Sequence, residues 1–256
     1  MAALQFYQFP CLEDNYGVLI HDPDSKETAA IDAPEAAAVR QALELKGWSL
    51  THLFCTHHHV DHTAGIAELK QLSGCTVYGP KGESAKIPAL DIALGEGDEL
   101  TFGGRKVEII ETPGHTLGHI VYYIPSDTVA FAADTMFPLG CGRVFEGTLE
   151  QMWSSLAKLI ALPKETIVYC GHEYTKANAK FALSIEPGNA ALQKRAAEID
   201  EKRARGEPTV PTTIALELET SPFVRPRSPE IQERLGMVGH SDAEIFAEVR
   251  RRKDNF

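Results

Sequence analysis

Short apolar runs separated by turn formers dominate the first 174 residues, and stripes of apolar residues at helical spacing dominate the remainder. Leu4 to Phe9, Gly17 to His21 and Thr28 to Ile31 are β-branched or aromatic runs broken by turn clusters such as AspProAspSer at 22 to 25, and they predict an opening antiparallel sheet. Pro34 opens a helix running to about Lys46, with Val39, Leu43 and Leu45 as its apolar face and Gly47 as its stop. Leu50 to Cys55 predicts a buried strand and Thr63 to Leu72 a helix. A further strand is expected at Thr76 to Tyr78, and a hairpin is expected from Glu99 to Phe102 and Lys106 to Ile110, joined by Gly103 and Gly104. Ile120 to Ile124, Val129 to Ala133 and Thr166 to Cys170 are the remaining strands of this part. Between the last two lies a helix over Thr148 to Leu162, with a capping box of Thr148 and Gln151. From residue 175 the pattern turns helical and charged, over Asn178 to Ile185, Ala190 to Arg205 and Ser241 to Arg252, with an extended ProThrValProThrThr connector at 208 to 213. The expected organisation is a domain over 1 to 174 and a helical domain over 175 to 256.

One stretch obeys neither period. Thr56 to His62 reads ThrHisHisHisValAspHis, and no single face hides or exposes its imidazoles and carboxylate together. Neutral imidazole is the commonest protein metal ligand and carboxylate its usual companion, so His57, His59, Asp61 and His62 predict a divalent-metal loop at the end of a buried strand. His58 alternates to the opposite side and is expected to be structural. Other apolar strands also end in candidate ligands: His115 follows the hairpin, Asp134 ends Val129 to Ala133, and His172 follows Thr166 to Cys170. Seven ligands exceed what one zinc ion takes at a catalytic site but suit two ions sharing a carboxylate. A workable division puts His57, His59 and His115 on one metal, Asp61, His62 and His172 on the other, and Asp134 between them. Such a pair holds a hydroxide acidified toward neutral pH and ready to attack a carbonyl.

Composition narrows the partners. The 36 acidic residues outnumber 25 basic ones, a formal net charge of −11, which argues against nucleic acid and leaves a small molecule as the expected partner. Cys11, Cys55, Cys75, Cys141 and Cys170 are odd in number and form no CxxC pair, as in a reducing compartment. With no basic, apolar leader and no run of membrane-spanning length, a cytoplasmic protein without membrane attachment is expected, and a monomer.

The loop at 56 to 62, GlyHisThr at 114 to 116, AlaAspThr at 133 to 135 and GlyHisGluTyr at 171 to 174 resemble the successive metal motifs of the metallo-β-lactamase superfamily. That resemblance implies an α/β fold, a four-layered αβ/βα sandwich with the metals at one edge and, here, a C-terminal helical domain. AspAsnTyr at 14 to 16, the triple-His loop, CysGlyArgValPheGluGlyThr at 141 to 148, the connector and the basic end ArgArgArgLysAspAsnPhe at 250 to 256 are similar to the glyoxalase II, or hydroxyacylglutathione hydrolase, family over essentially the whole chain. The resemblance implies hydrolysis of the thioester S-D-lactoylglutathione and other 2-hydroxyacylglutathiones to D-lactate and glutathione, the second step of methylglyoxal detoxification. It implies two divalent metal ions per chain, zinc first and iron or manganese as alternatives, with Asp61 orienting the attacking hydroxide. It also implies that Arg250 and Lys253 bind the glycine carboxylate of glutathione, while Tyr174 and the stretch Arg143 to Phe145 contact its backbone. Arg250 and Lys253 are three apart and hence neighbours on one helix face. Arg143 and Phe145 depart from the Lys and Tyr usual in the family, which changes hydrogen-bond geometry and removes a hydroxyl. A one-iron persulfide dioxygenase of the same superfamily is the nearest rival, and a closed structural metal site is disfavoured by the absence of Cys ligands.

Overall fold

The fully buried runs become strands because no face of them tolerates water. The computed structural model describes residues 2–256 and comprises two units, residues 2–111 with Thr116–Ala132, and Thr112–His115 with Ala133–Phe256.

In the first unit, β1 (Gln5–Cys11), β2 (Asn15–His21) and β3 (Thr28–Ile31) form an antiparallel meander. Helix α1 (Ala36–Lys46) follows and ends on left-handed Gly47. The chain then adds β4 (His52–Phe54), β5 (Thr76–Pro80) and β6 (Ile92–Leu94) in parallel, giving the order β1-β2-β3-β4-β5-β6. A second, antiparallel array is built from β7 (Glu99–Phe102), β8 (Arg105–Glu111), β9 (Ile120–Ile124) and β10 (Val129–Ala133). Strand alternation explains how the layers meet. Leu53 and Cys55 pack with Val39, Leu43, Ile66 and Leu69 of the helices on one side of the first sheet. Phe54, between them, stacks on Tyr122 at 5.0 Å and meets Phe102 edge-on at 5.8 Å on the other side. Burial of side chains of this size contributes about 1.5–3 kcal/mol each.

The helix expected over Thr63 to Leu72 is instead two pieces, α2 (Val60–Thr63) and α3 (Ile66–Ser73), so Asp61 and His62 sit in a helical turn. The break falls at Gly65, whose amide donates to Ala33 O and whose added Cβ would lie 2.5 Å from Ala36 N. Close approach to the start of α1 therefore sets the bend, a contact invisible to periodicity.

In the second unit, β11 (Met136–Phe137) and β12 (Gly140–Cys141) form a small hairpin, followed by α4 (Leu149–Ile160) with its capping box in place. Strand β13 (Ile167–Cys170) leads to α5 (Thr175–Ile185) and α6 (Ala190–Ala204), which enclose Leu139, Ala179, Ala182, Leu192, Ala196 and Ile199. Strand β14 (Thr212–Thr213) pairs with β13 and runs into α7 (Ile214–Thr220), then α8 (Pro229–Leu235) and α9 (Asp242–Asp254). Phe246 of α9 packs on Trp153 of α4 at 5.8 Å. Arg195 of α6 and Glu217 of α7 form a buried pair at 2.6 Å, and the other Glu217 oxygen accepts from Leu139 N at 2.8 Å. The helices from Thr175 onward thus share one unit with β11, β12, α4 and β13. No helix of the described residues is long and apolar enough to cross a membrane.

Candidate metal and substrate site

In the first unit, β4 delivers the chain into the loop as the pattern predicts, and a buried carboxylate outside the expected ligand set organises it. Asp32 follows β3 at a left-handed φ of 55° and accepts from Thr56 N at 2.7 Å, Thr56 Oγ1 at 2.8 Å and His62 Nδ1 at 2.8 Å. A carboxylate facing Nδ1 fixes the proton there, so the Nε2 of His62 carries the lone pair. The Thr56 hydroxyl, having donated to Asp32, is left to accept from His57 Nδ1 at 3.0 Å, and His57 Nε2 becomes a lone-pair atom by the same logic. The His57 ring lies 4.8 Å from His59 and 4.2 Å from His62, and buried His119 stacks on it at 4.8 Å. His58 turns to Glu83, with 2.8 Å between Nδ1 and Oε2, as expected of a structural residue. Burial pushes the Glu83 carboxyl up, but hydrogen bonds from Thr116, His58 and Gly118 outweigh it and leave the group below its ordinary value. Asn15 Nδ2 donates to Asp61 O at 3.2 Å and to Asp61 Oδ2 at 3.3 Å, which holds that carboxylate beside His62 Nε2 at 3.6 Å.

In the second unit, Asp134 stands between two imidazoles. His115 Nε2 is 3.3 Å from one of its oxygens and His172 Nε2 is 3.4 Å from the other. His115 Nδ1 donates to Arg143 O at 2.8 Å, which leaves Nε2 as the atom that faces the carboxylate. Two imidazole nitrogens converging on one carboxylate are a donor set that fits a divalent ion. The backbone is pressed tightly here: Ala133 has a φ of +37°, and a Cβ on Gly142 would meet Asp134 O at 1.9 Å. The Tyr174 ring lies parallel to His172 at 4.7 Å, and the Phe145 ring is 5.3 Å from His115.

The basic end resolves into three kinds of residue. Arg251 and Arg252 pair with Glu248 on their own helix. Arg250 is only 5% exposed; it donates to Cys141 O at 2.9 Å and to Asp254 Oδ1 at 2.8 Å, with its guanidinium 5.3 Å from the Phe223 ring. Lys253 lies over Phe181 and Phe256, and burial together with the charges of Arg250 and Arg143 lowers its pKa against the opposing pull of Asp254. Arg143 reaches Asp254 Oδ1 at 3.6 Å and covers Phe145.

Asp32 carried the same signal as Asp134, an Asp ending an apolar strand, and was legible on that ground. Glu83 lies in an aperiodic Gly- and Pro-containing loop and gave none.

Residues 25–172 match the family model described as the metallo-beta-lactamase superfamily, and residues 173–256 match that described as the hydroxyacylglutathione hydrolase C-terminus. Among solved structures the chain is similar to ETHE1 from Myxococcus xanthus, at 26% identity and a TM-score of 0.67 over 97% of this chain and 98% of that one. The fold also matches the BLEG-1 B3 metallo-beta-lactamase, at 22% identity and a TM-score of 0.67 over 86% of this chain and 100% of that one. These define a metallohydrolase fold of the metallo-β-lactamase type, α/β in class. The hydroxyacylglutathione hydrolase of Rhizobium meliloti (strain 1021) is 56% identical over the full length of both chains, and that of Maricaulis maris (strain MCS10) is 53% identical over the same span. The chain belongs to the hydroxyacylglutathione hydrolase family.

Proposed function

We propose that the chain hydrolyses S-D-lactoylglutathione and related 2-hydroxyacylglutathiones to the hydroxy acid and glutathione, the second step of methylglyoxal detoxification. The observation that carries this reading is the full-length identity of 56% to a hydroxyacylglutathione hydrolase, reaching through the basic end that a bare metallohydrolase would not need. In this reading His57, His59 and His115 hold one divalent ion, Asp61, His62 and His172 hold a second, and Asp134 is shared. Zinc is the expected metal, with iron and manganese as alternatives compatible with imidazole and carboxylate donors. When bound, the ions supply a water of lowered pKa and Lewis-acid stabilisation of the charge that develops on the thioester carbonyl.

The chain's own residues do the rest. Asp32 and Thr56 fix the tautomers of His62 and His57, and Asn15 holds the Asp61 carboxylate where it orients the attacking water. Arg250 and Lys253 supply positive charge for the glycine carboxylate, with Arg143, Phe145 and Tyr174 lining the glutathione backbone. The leaving thiol has a pKa of about 8.5 in the parent Cys, so it departs as thiolate without a protein acid. A domain over 1–174 would carry the chemistry and 175–256 much of the substrate recognition, in a cytoplasmic monomer.

Purified protein should cleave S-D-lactoylglutathione, followed as loss of thioester absorbance, with about two metals per chain in the same sample. One iron per chain, oxygen uptake with glutathione persulfide and no thioester cleavage would replace this reading with a dioxygenase.

A further inference from the structure

A site for an anion poses a folding problem whenever the anion is away. Arg250 is only 5% exposed, and a buried guanidinium left without a counter-charge costs several kcal/mol. Here the counter-charge is built in. Asp254, one helical turn on, accepts from Arg250 Nη2 at 2.8 Å and lies 3.6 Å from Arg143 Nε, so one carboxylate spans two of the three cations assigned to substrate. Its side chain is 35% exposed against 6% for Arg250, which makes it the more accessible member of the pair. The other terminal nitrogen of Arg250 is committed to Cys141 O at 2.9 Å.

We propose that Asp254 is an internal stand-in for the substrate carboxylate and a determinant of affinity. It neutralises Arg250 and Arg143 in the unliganded chain, and it is displaced or repelled when a glutathione carboxylate arrives. The cluster Arg143, Arg250, Lys253 and Asp254 carries three positive charges and one negative, so an incoming anion meets attraction attenuated by a like charge. Binding is thereby kept loose enough for glutathione, which carries the same carboxylate, to leave. This inference rests on the reading of Arg250 and Lys253 as the carboxylate site, with Arg143 beside it on the glutathione backbone.

Asp254→Asn keeps the side chain's size and an oxygen acceptor for Arg250 but removes the negative charge. The probes are S-D-lactoylglutathione and its glycine monoethyl ester, which lacks the carboxylate. Asp254→Asn is expected to lower the ratio of KM for the acid to KM for the ester roughly fivefold, the scale of removing one like charge in a partly solvated cluster. Inhibition by free glutathione should tighten in parallel. A merely structural Asp254 would leave that ratio alone or raise it, and either result overturns the proposal. Because the ratio compares two substrates on one preparation, partial loss of folded protein does not affect it. Lys253→Gln separates the two readings: it should raise the same ratio. If it does while Asp254→Asn fails to lower it, the carboxylate site stands and the stand-in role falls; if Lys253→Gln leaves the ratio unmoved, both fall.

Discussion

In the first unit His57, His58 and His62 are aimed by side chains, whereas in the second His115 and Asp134 are placed by main chain. Asp32 holds Thr56 and His62 directly and His57 through the Thr56 hydroxyl, while Glu83 takes His58 out of the way. In the second unit, His115 is fixed by the carbonyl of Arg143, and Asp134 follows a positive-φ Ala133 and is pressed by Gly142. The difference follows from where the ligands come from. Four candidates within six residues crowd one another and need separate partners to sort their tautomers, whereas three delivered from different strand ends need the strands themselves to be placed.

If Asp134 serves both ions as proposed, its removal is the most damaging change. Asp134→Ala is expected to lower kcat/KM by at least about a thousandfold, roughly 4 kcal/mol of transition-state stabilisation, and to leave fewer than about one metal per chain by elemental analysis. Retention of a stoichiometric pair would remove Asp134 from the site. If the second half is aimed by main chain, Gly142→Ala should cost about a hundredfold in kcat, because the new Cβ forces the Asp134 carbonyl to move by a distance on the scale of catalytic misplacement. If the first half is aimed by side chains, Asp32→Asn should cost about 10- to 100-fold in metal affinity, measured by competition with a chelator. Equal metal affinity in Asp32→Asn and the parent protein would erase the contrast.

The smallest effect is on stability. His52, on β4 among Phe54, Tyr78 and Phe102, has its pKa lowered by burial from an ordinary value of 6.5. The unfolded chain therefore takes up this proton before the folded chain does. The stability it supports is complete above about pH 6.5 and is lost as pH falls toward and through the depressed folded value. Urea midpoints should drop between pH 7.5 and 5.5, and His52→Phe should reduce that drop; an identical drop in the variant would remove His52 as its cause.

The strands and the ligand motifs were legible in the sequence because burial and metal chemistry both leave marks on neighbouring residues. The run through Cys55 announced β4, and the clash of periodicities after it announced the loop. The break at Gly65 was not legible, since it is set by the backbone of Ala36, nearly thirty residues earlier, and Glu83 was hidden for the same reason of distance. The ArgArgArgLys run looked uniform. Packing against Phe223 and Cys141 distinguishes buried Arg250 from Arg251 and Arg252, which pair with Glu248 on their own helix.

The buried Glu217 that accepts from Leu139 N has a consequence for the chain as it leaves the ribosome. Leu139 sits in the hairpin just after Asp134, and its amide gains that partner only once α7 has been synthesised; Arg250, which donates to Cys141 O in the same hairpin, emerges later still. The turn beside Asp134 is therefore translated well before the residues that seal it. Ribosome-bound nascent chains of increasing length would show this segment protected from proteolysis only after the C-terminal helices have emerged.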